Sequence, residues 1–142
     1  MLASNRDLIT AAERLLKPHR VGDRLFGNVA AALVTASGTS YGGVCIDTGC
    51  GTGFCAEHSA IAAMVTSGEY RIARIAAVWR DREQHLYVLP PCGRCREFIR
   101  QIDPDNINTQ VVLDEQRTAP LRELLPAHEW PLPLDDAGRS GW

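Results

Sequence analysis

The sequence carries no excess of positive charge. Its 142 residues include 15 Lys and Arg against 17 Asp and Glu, for a formal net charge of −2. Proteins whose main partner is a nucleic acid usually present clustered basic residues to the phosphates. We therefore expect no nucleic-acid partner, and a small molecule as the substrate.

Long apolar segments are also missing. No apolar run approaches the roughly 20 residues of a membrane-spanning helix, and the N-terminal stretch MLASNRDLITAAERLL is amphipathic and charged. Such a start is unlike a secretory leader, so we expect a cytoplasmic protein with no membrane association. In that compartment the five cysteines are poor candidates for disulfides, which favours metal binding or catalysis.

The composition is that of an ordinary globular chain. Hydrophobic residues make up 45% and charged residues 23% of it, and no internal repeat or low-complexity tract interrupts it. A chain of this size buries roughly two thirds of its unfolded-state surface, enough for a core of its own. We predict one domain over residues 1–130 and a proline-interrupted tail over residues 131–142.

Predicted helices and strands alternate along the chain. An amphipathic helix capped by Ser4 or Asn5 precedes two strands, 28–35 and 41–46, which are joined by a turn that suits a hairpin. A helix follows the glycine-rich segment GCGTG. This order predicts an α/β fold with helices on both faces of a mixed sheet. The remaining predicted elements are strands 72–78, 86–89 and 110–113, and helices after Cys92 and over 121–125.

Two cysteines lie three positions apart at the predicted start of a helix. Cys92 and Cys95 follow Pro91 in PPCGRCREFI, and proline suits the first turn of a helix. The helix dipole favours thiolate at that end, and the two-residue gap lets both sulfurs bind one ion, usually zinc. The alternatives are two incidental cysteines and a thioredoxin-type redox motif, although that motif is expected after an early strand.

An earlier segment can complete the metal site. Cys55 opens a second predicted helix, and Glu57 lies two residues further along it. Three protein ligands leave one position of zinc open to water, and a nearby carboxylate can carry protons to and from that water. In a closed alternative, His58 is the fourth ligand and the zinc is structural. Cys50 is a competing ligand candidate.

The segments CAEHSA and PCGRCR, in that order, resemble the cytidine deaminase family in its small homotetrameric form with three cysteine ligands. The resemblance extends from about residue 26 to residue 125, and PCGRCR and RELLP are also similar to blasticidin-S deaminase. It implies a three-layer α/β/α sandwich around a five-stranded mixed sheet. It also implies Zn²⁺ as the cofactor, held by Cys55, Cys92 and Cys95, with Glu57 as the catalytic proton shuttle.

The same resemblance implies an activity. The expected reaction is hydrolytic deamination of a cytosine nucleoside or close analogue, such as cytidine or deoxycytidine, with release of ammonia. A homotetramer with active sites near the subunit interfaces is expected with it. Deamination of an aminonucleoside antibiotic of the blasticidin type is the alternative within this class. A structural zinc module closed by His58 is the alternative from another class.

Several positions depart from the family pattern. Cys45 and Asp47 stand where the family reads the ribose with Asn and Glu, and His58 replaces an Arg that offsets the thiolate charge. The family has an aromatic residue that packs on the base at the position of Gly27, and Phe26 lies one position before it. The substrate contacts that the resemblance implies are Phe26, Cys45, Asp47, Ala56, Pro91 and Trp130, the last reaching a neighbouring active site.

Overall fold

A computed structural model describes residues 3–134 of the chain. Most of the predicted tail, residues 135–142, lies outside the described residues, so the predicted domain division stays a prediction. Among residues 3–134, no helix is long and apolar enough to cross a membrane.

The helices are α1 (Asn5–Leu15), α2 (Ala56–Thr66), α3 (Gly93–Ile102) and α4 (Leu121–Leu124), with a 3₁₀ helix at Pro104–Asn108. The strands are β1 (His19–Val21), β2 (Arg24–Phe26), β3 (Val29–Thr35), β4 (Ser40–Val44), β5 (Ile72–Arg80), β6 (Leu86–Leu89), β7 (Gln110–Val112) and β8 (Thr118–Pro120).

A mixed sheet forms the middle of the described part. Its strands run in the order β4-β3-β5-β7-β8, and β6 also pairs with β5. The β5–β7 pair is parallel and the other pairs are antiparallel. The predicted α/β fold with a mixed sheet is confirmed. The short edge strand β8, which the sequence analysis did not predict, makes it six-stranded within residues 3–134.

Strand β3 explains the layered arrangement. Its sequence VAAALVT is buried almost throughout, as expected for a strand covered on both faces. Ala31 and Leu33 belong to the apolar cluster that includes Ile61 of α2 and Ile99 of α3. Ala30, Ala32 and Val34 instead pack with Leu8 and Ala12 of α1. The alternation therefore places α1 on one face of the sheet and α2 and α3 on the other.

Helix α1 begins with a complete capping box. The Ser4 hydroxyl accepts a hydrogen bond from the Asp7 backbone N–H, and the Asp7 carboxylate accepts one from the Ser4 N–H, each at 3.1 Å. Of the two predicted caps, Ser4 is therefore the one that the structure uses. The buried face of α1, with Leu8, Ile9 and Ala12, packs on the sheet.

The hairpin of β1 and β2 was not predicted from the sequence. Its strands are three residues each and largely exposed, so they lack the apolar alternation that marks a half-buried strand. The available signal was the two-residue turn Gly22–Asp23 between the paired Val21 and Arg24. Gly22 has a φ of +60° there, which glycine adopts readily.

Helix α2 lies unusually close to strand β4. The space that a Cβ on Gly43 would occupy is only 2.6 Å from the Ala60 backbone nitrogen. The Ser59 hydroxyl also donates a hydrogen bond of 2.7 Å to the Val44 carbonyl. These contacts hold α2 against the edge of the sheet and so determine where its N-terminus lies.

Candidate active site

Two helix N-termini bring three cysteine sulfurs together. Cys55 is the N-cap of α2 and Cys92 the N-cap of α3, and neither side chain caps its helix. Their sulfurs point toward each other instead, with 3.7 Å between the two Sγ atoms. Cys95, in the first turn of α3, places its Sγ 3.5 Å from that of Cys92. Segments about 40 residues apart therefore converge on one point.

The cluster has the dimensions of a zinc site. Two thiolates that bind one tetrahedral zinc at about 2.3 Å each lie about 3.8 Å apart, close to the observed separations of 3.5 and 3.7 Å. Burial raises the pKa of the Cys55 and Cys95 thiols, so a cation is needed to make these sulfurs anionic near neutral pH. The chemistry and spacing of these donors fit zinc.

Glu57 lies beside the cluster. Its side chain is buried, with 5% of the residue exposed, and burial raises the pKa of its carboxyl group. It projects from the first turn of α2, one residue from Ala56, and reaches the wall of a cavity. A carboxyl group of this kind can hold or release a proton next to a bound molecule.

His58 also lies beside the three cysteines. Its Nδ1 lies 3.5 Å from Cys95 Sγ, and donor atoms of Cys55, His58 and Cys95 all lie within 4.8 Å of one another. Burial, followed by the nearby Arg94 guanidinium, lowers the pKa of His58. The imidazole ring stacks on Phe98, with the ring centres 4.1 Å apart.

A cavity of about 460 Å³ opens next to the sulfurs. Its polar lining comes from Asp47, Thr48 and Arg94, and from the cluster itself through Cys55, Glu57 and Cys92. The volume is within the usual range for small-molecule sites. The other lining residues are Val29, Cys45, Ile46, Gly51, Gly53, Phe54, Ala56, Ala77, Leu89 and Pro90.

The loop between β4 and α2 forms one wall of this cavity. It is closed by an isolated bridge between Ile46 and Phe54, with backbone hydrogen bonds of 3.0 and 2.9 Å. Gly53 is required there, because a Cβ on it would lie 2.7 Å from the Thr48 backbone nitrogen. The loop thus brings Asp47 to the cavity wall.

The structure separates the expected substrate contacts into two sets. Cys45, Asp47 and Ala56 line the cavity, whereas Phe26, Pro91 and Trp130 are not among its lining residues. Phe26 pairs with His19 in the β1–β2 hairpin.

The other two residues differ in their surroundings. Pro91 is buried and lines a separate small cleft with Glu57. Trp130 is 87% exposed.

Arg94 is a cavity residue that was not predicted from the sequence. It lies between Cys92 and Cys95 in the PCGRCR segment, and its Nη1 donates a hydrogen bond of 3.4 Å to the Gly53 carbonyl. The signal was its position, since a residue inside a metal-binding segment at a helix start necessarily lies near the metal. Its direction toward the β4–α2 loop depends on tertiary contacts.

Comparison with protein families identifies this arrangement. The family model described as the cytidine and deoxycytidylate deaminase zinc-binding region matches residues 4–111. The chain belongs to this deaminase family. The match spans β3, β4, α2 and α3 and therefore all the cysteines of the cluster, so the expected resemblance to cytidine deaminases is confirmed.

Solved cytidine deaminases share the fold of this deaminase-family protein. The enzyme from Burkholderia pseudomallei is 28% identical, with a TM-score of 0.69, and the alignment covers 88% of this chain and 98% of that one. The enzyme from Bacillus anthracis is 24% identical (TM-score 0.70; 87% and 88% covered). That from Mycobacterium tuberculosis is 24% identical (TM-score 0.67; 84% and 92% covered). The last two similarities bear on the fold alone.

Proposed function

We propose that this protein is a zinc-dependent deaminase that hydrolyses the exocyclic amino group of a cytosine nucleoside or close analogue and releases ammonia. The observation that carries the proposal is the convergence of Cys55, Cys92 and Glu57 on one wall of a cavity of about 460 Å³. Membership of the deaminase family supports the same reaction. We expect the protein to work in the cytoplasm.

Three sulfurs would hold the metal. Cys55, Cys92 and Cys95 supply thiolates at two helix N-termini, where the helix dipoles favour negative charge. When bound, zinc supplies a Lewis acid that makes water nucleophilic near neutral pH. Cys55 and Cys92 line the cavity, so a substrate there lies directly against the site.

Glu57 would move the protons. Its carboxylate oxygen accepts a proton from the attacking water and delivers one to the ring nitrogen next to the reacting carbon. Glu57 would then carry the remaining proton of that water, from the hydroxyl added to the ring carbon, to the exocyclic amino group, and the C–N bond would break to release ammonia. One water is consumed, and the amidine of cytosine becomes the amide of uracil. The burial of Glu57 keeps these transfers away from bulk water.

The apolar walls would orient the ring. Phe54, Val29 and Leu89 line the cavity and offer surfaces against which a flat pyrimidine can pack. Ala56, between Cys55 and Glu57, brings backbone polar groups to the same wall, where they can bind the edge of the base. Pro91 lines a small cleft together with Glu57 and would support its position from that side.

A second candidate substrate is an aminonucleoside antibiotic of the blasticidin type. The Cys45 thiol donates to Asn28 Oδ1 at 3.1 Å, so it is already paired and offers no amide to a ribose. Asp47 and Arg94, of opposite charge, both line the cavity. A substrate that carries charged groups of both signs beyond its cytosine ring would complement this pair.

A panel of substrates tests both candidates. Ammonia release is measured with cytidine, deoxycytidine, free cytosine and blasticidin S, at equal concentrations and with zinc-loaded protein. We expect turnover of at least one cytosine nucleoside. Higher kcat/KM for blasticidin S than for cytidine would select the second candidate. Lack of turnover with all four compounds by a zinc-loaded, folded protein would contradict the proposed function.

We also propose a homotetramer in which Trp130 reaches a neighbouring active site. Trp130 and the nearby Leu132 are 87% and 86% exposed, and large apolar side chains on a surface often mark an interface. Light scattering on the purified protein should give four times the chain mass of 15.6 kDa. A monomer at micromolar concentration would contradict this assembly. Phe26 stays a proposed substrate contact.

A further inference from the structure

His58 lies against the metal cluster but outside the cavity. Its exposed fraction is 8%, and its Nδ1 is 3.5 Å from the sulfur of Cys95, which is fully buried. The residues that line the cavity include Cys55 and Cys92, and among the described residues they do not include His58 or Cys95. His58 instead lines a separate cleft with Glu97 and Phe98, so the imidazole approaches the cluster from that cleft and not from the cavity.

Two aromatic rings determine the orientation of the imidazole. Phe98, one turn after Cys95 on α3, stacks on it almost in parallel, with an angle of 8° between the planes. Phe54 lies 6.2 Å away at an angle of 30°. A ring packed in this way cannot rotate freely, so Nδ1 is held toward Cys95 Sγ.

The chemistry of a metal-bound cysteine determines which atom carries the hydrogen. A thiolate has no proton and can only accept a hydrogen bond, so Nδ1 must be the donor when Cys95 binds zinc. We infer that His58 is a positioning residue that donates an Nδ1–H···S hydrogen bond to the Cys95 thiolate, and that it is not the fourth zinc ligand. The inference rests on the zinc site of the proposed function.

This hydrogen bond would act on the metal through its ligand. It orients the Cys95 side chain and withdraws electron density from the sulfur, which partly offsets the charge of three thiolates. With three sulfur ligands and no ligand from His58, a bound zinc would keep one position for water. Loss of such a supporting contact typically weakens metal affinity by about 10- to 100-fold.

Two substitutions of His58 distinguish the effect of its hydrogen-bond donor from the effect of its ring stacking. In His58→Asn, the side-chain amide nitrogen takes the place of Nδ1, so the donor is kept and the stacking is lost. In His58→Phe, the stacking is kept and the donor is lost. We expect zinc affinity, measured by competition with a chromophoric chelator, to fall about 10- to 100-fold in His58→Phe and less in His58→Asn. The control is His19→Gln, an exposed position on β1, which should leave zinc affinity unchanged.

The opposite results would overturn the inference. A packing role predicts that His58→Phe keeps wild-type zinc affinity and His58→Asn loses it. A ligand role predicts equal losses, together with a change in the d–d bands of the cobalt-substituted variants from those of the wild type. Unchanged affinity in both variants would also contradict a supporting hydrogen bond.

A measurement on the wild type covers the case in which either variant fails to fold. Long-range ¹H–¹⁵N spectra of the zinc-loaded protein should show a proton on Nδ1 of His58 and none on Nε2. A metal-bound Nδ1 would overturn the inference. Both tests are independent of turnover. A protein that binds zinc this way but deaminates no cytosine compound would refute the proposed function and leave the role of His58 intact.

Discussion

At the scale of single residues, Asn106 joins three parts of the chain. It is buried, its Oδ1 accepts a hydrogen bond of 2.9 Å from Ile72 N–H, and its Nδ2 donates to the Tyr70 and Ile99 carbonyls at 2.9 and 3.1 Å. The amide thereby fastens the last turns of α3 to the beginning of β5. Since β5 runs from there to Ala77 in the cavity wall, this contact also supports the site.

Replacement of Asn106 by Leu should be strongly destabilising. Three backbone groups would lose their partner, those of Ile72 and Ile99 in buried positions, and each buried unpaired group costs about 1–3 kcal/mol. We expect the free energy of unfolding to fall by about 3 kcal/mol or more, measured by urea denaturation. Asn108→Leu is the control, because Asn108 is exposed and its change should cost less than about 1 kcal/mol. Equal losses in the two variants would contradict this role.

The proximity of the predicted cysteines could be anticipated from the sequence, but not all of their surroundings. The spacing of Cys92 and Cys95 at a helix start is a local property, and so their proximity could be anticipated. The hydrogen-bond partner of Cys45 is Asn28, 17 residues earlier in the chain, and this pairing could not be anticipated. Likewise, Gly27 has a φ of +73°, and a Cβ there would lie against the Lys17 backbone, which excludes the family's aromatic from this position.

At the scale of elements, the strands that could not be predicted are short and carry no regular apolar pattern. β3 is an apolar segment that is buried almost throughout, and β5 is buried over residues 75–78, and both were anticipated from the sequence. The short strands β1, β2 and β8 contribute little buried apolar surface, and their pairing is set by neighbouring backbone. Such elements leave no periodic pattern in the sequence.

Two adjacent glycines on β4 provide a test of how α2 is held. A Cβ on Gly43 would meet Ser59 and Ala60 of α2, whereas a Cβ on Gly42 would meet chiefly the flexible end of Leu15. We expect Gly43→Ala to lower the free energy of unfolding by about 1–3 kcal/mol through overpacking, and to lower zinc affinity by moving Cys55. Gly42→Ala should cost less than about 1 kcal/mol, since a leucine end can rotate away. A larger loss in Gly42→Ala than in Gly43→Ala would refute this packing account.

At the scale of the whole molecule, the site is an assembly of distant segments. The β4–α2 loop, the start of α2, the middle of β5 and the start of α3 all contribute to one cavity. Glu57 on α2 and Cys95 on α3 are buried because these segments pack together, and neither helix alone would bury them. A bound metal ion would therefore link the folding of α2 to that of α3.

Zinc should accordingly stabilise the entire fold. A ligand that binds only the folded state adds about 2.7 kcal/mol at a free concentration of 100 Kd, which raises Tm by about 8 °C for a chain of this size. We expect a strong chelator to remove that increment in thermal unfolding. Cys50→Ser should retain the zinc-dependent shift, and Cys95→Ser should abolish it. A zinc-dependent shift that survives in Cys95→Ser would show that the metal binds elsewhere.

The central claim is that an open zinc site works with Glu57 as the proton carrier. The most direct measurement is ammonia release by Glu57→Gln, with the zinc content determined on the same sample and the preferred substrate of the wild type. We predict one zinc per chain, unchanged from the wild type, and a kcat about 10²- to 10⁴-fold lower. Wild-type turnover in the zinc-loaded variant would contradict the account, and so would loss of the zinc itself, which would make Glu57 a ligand.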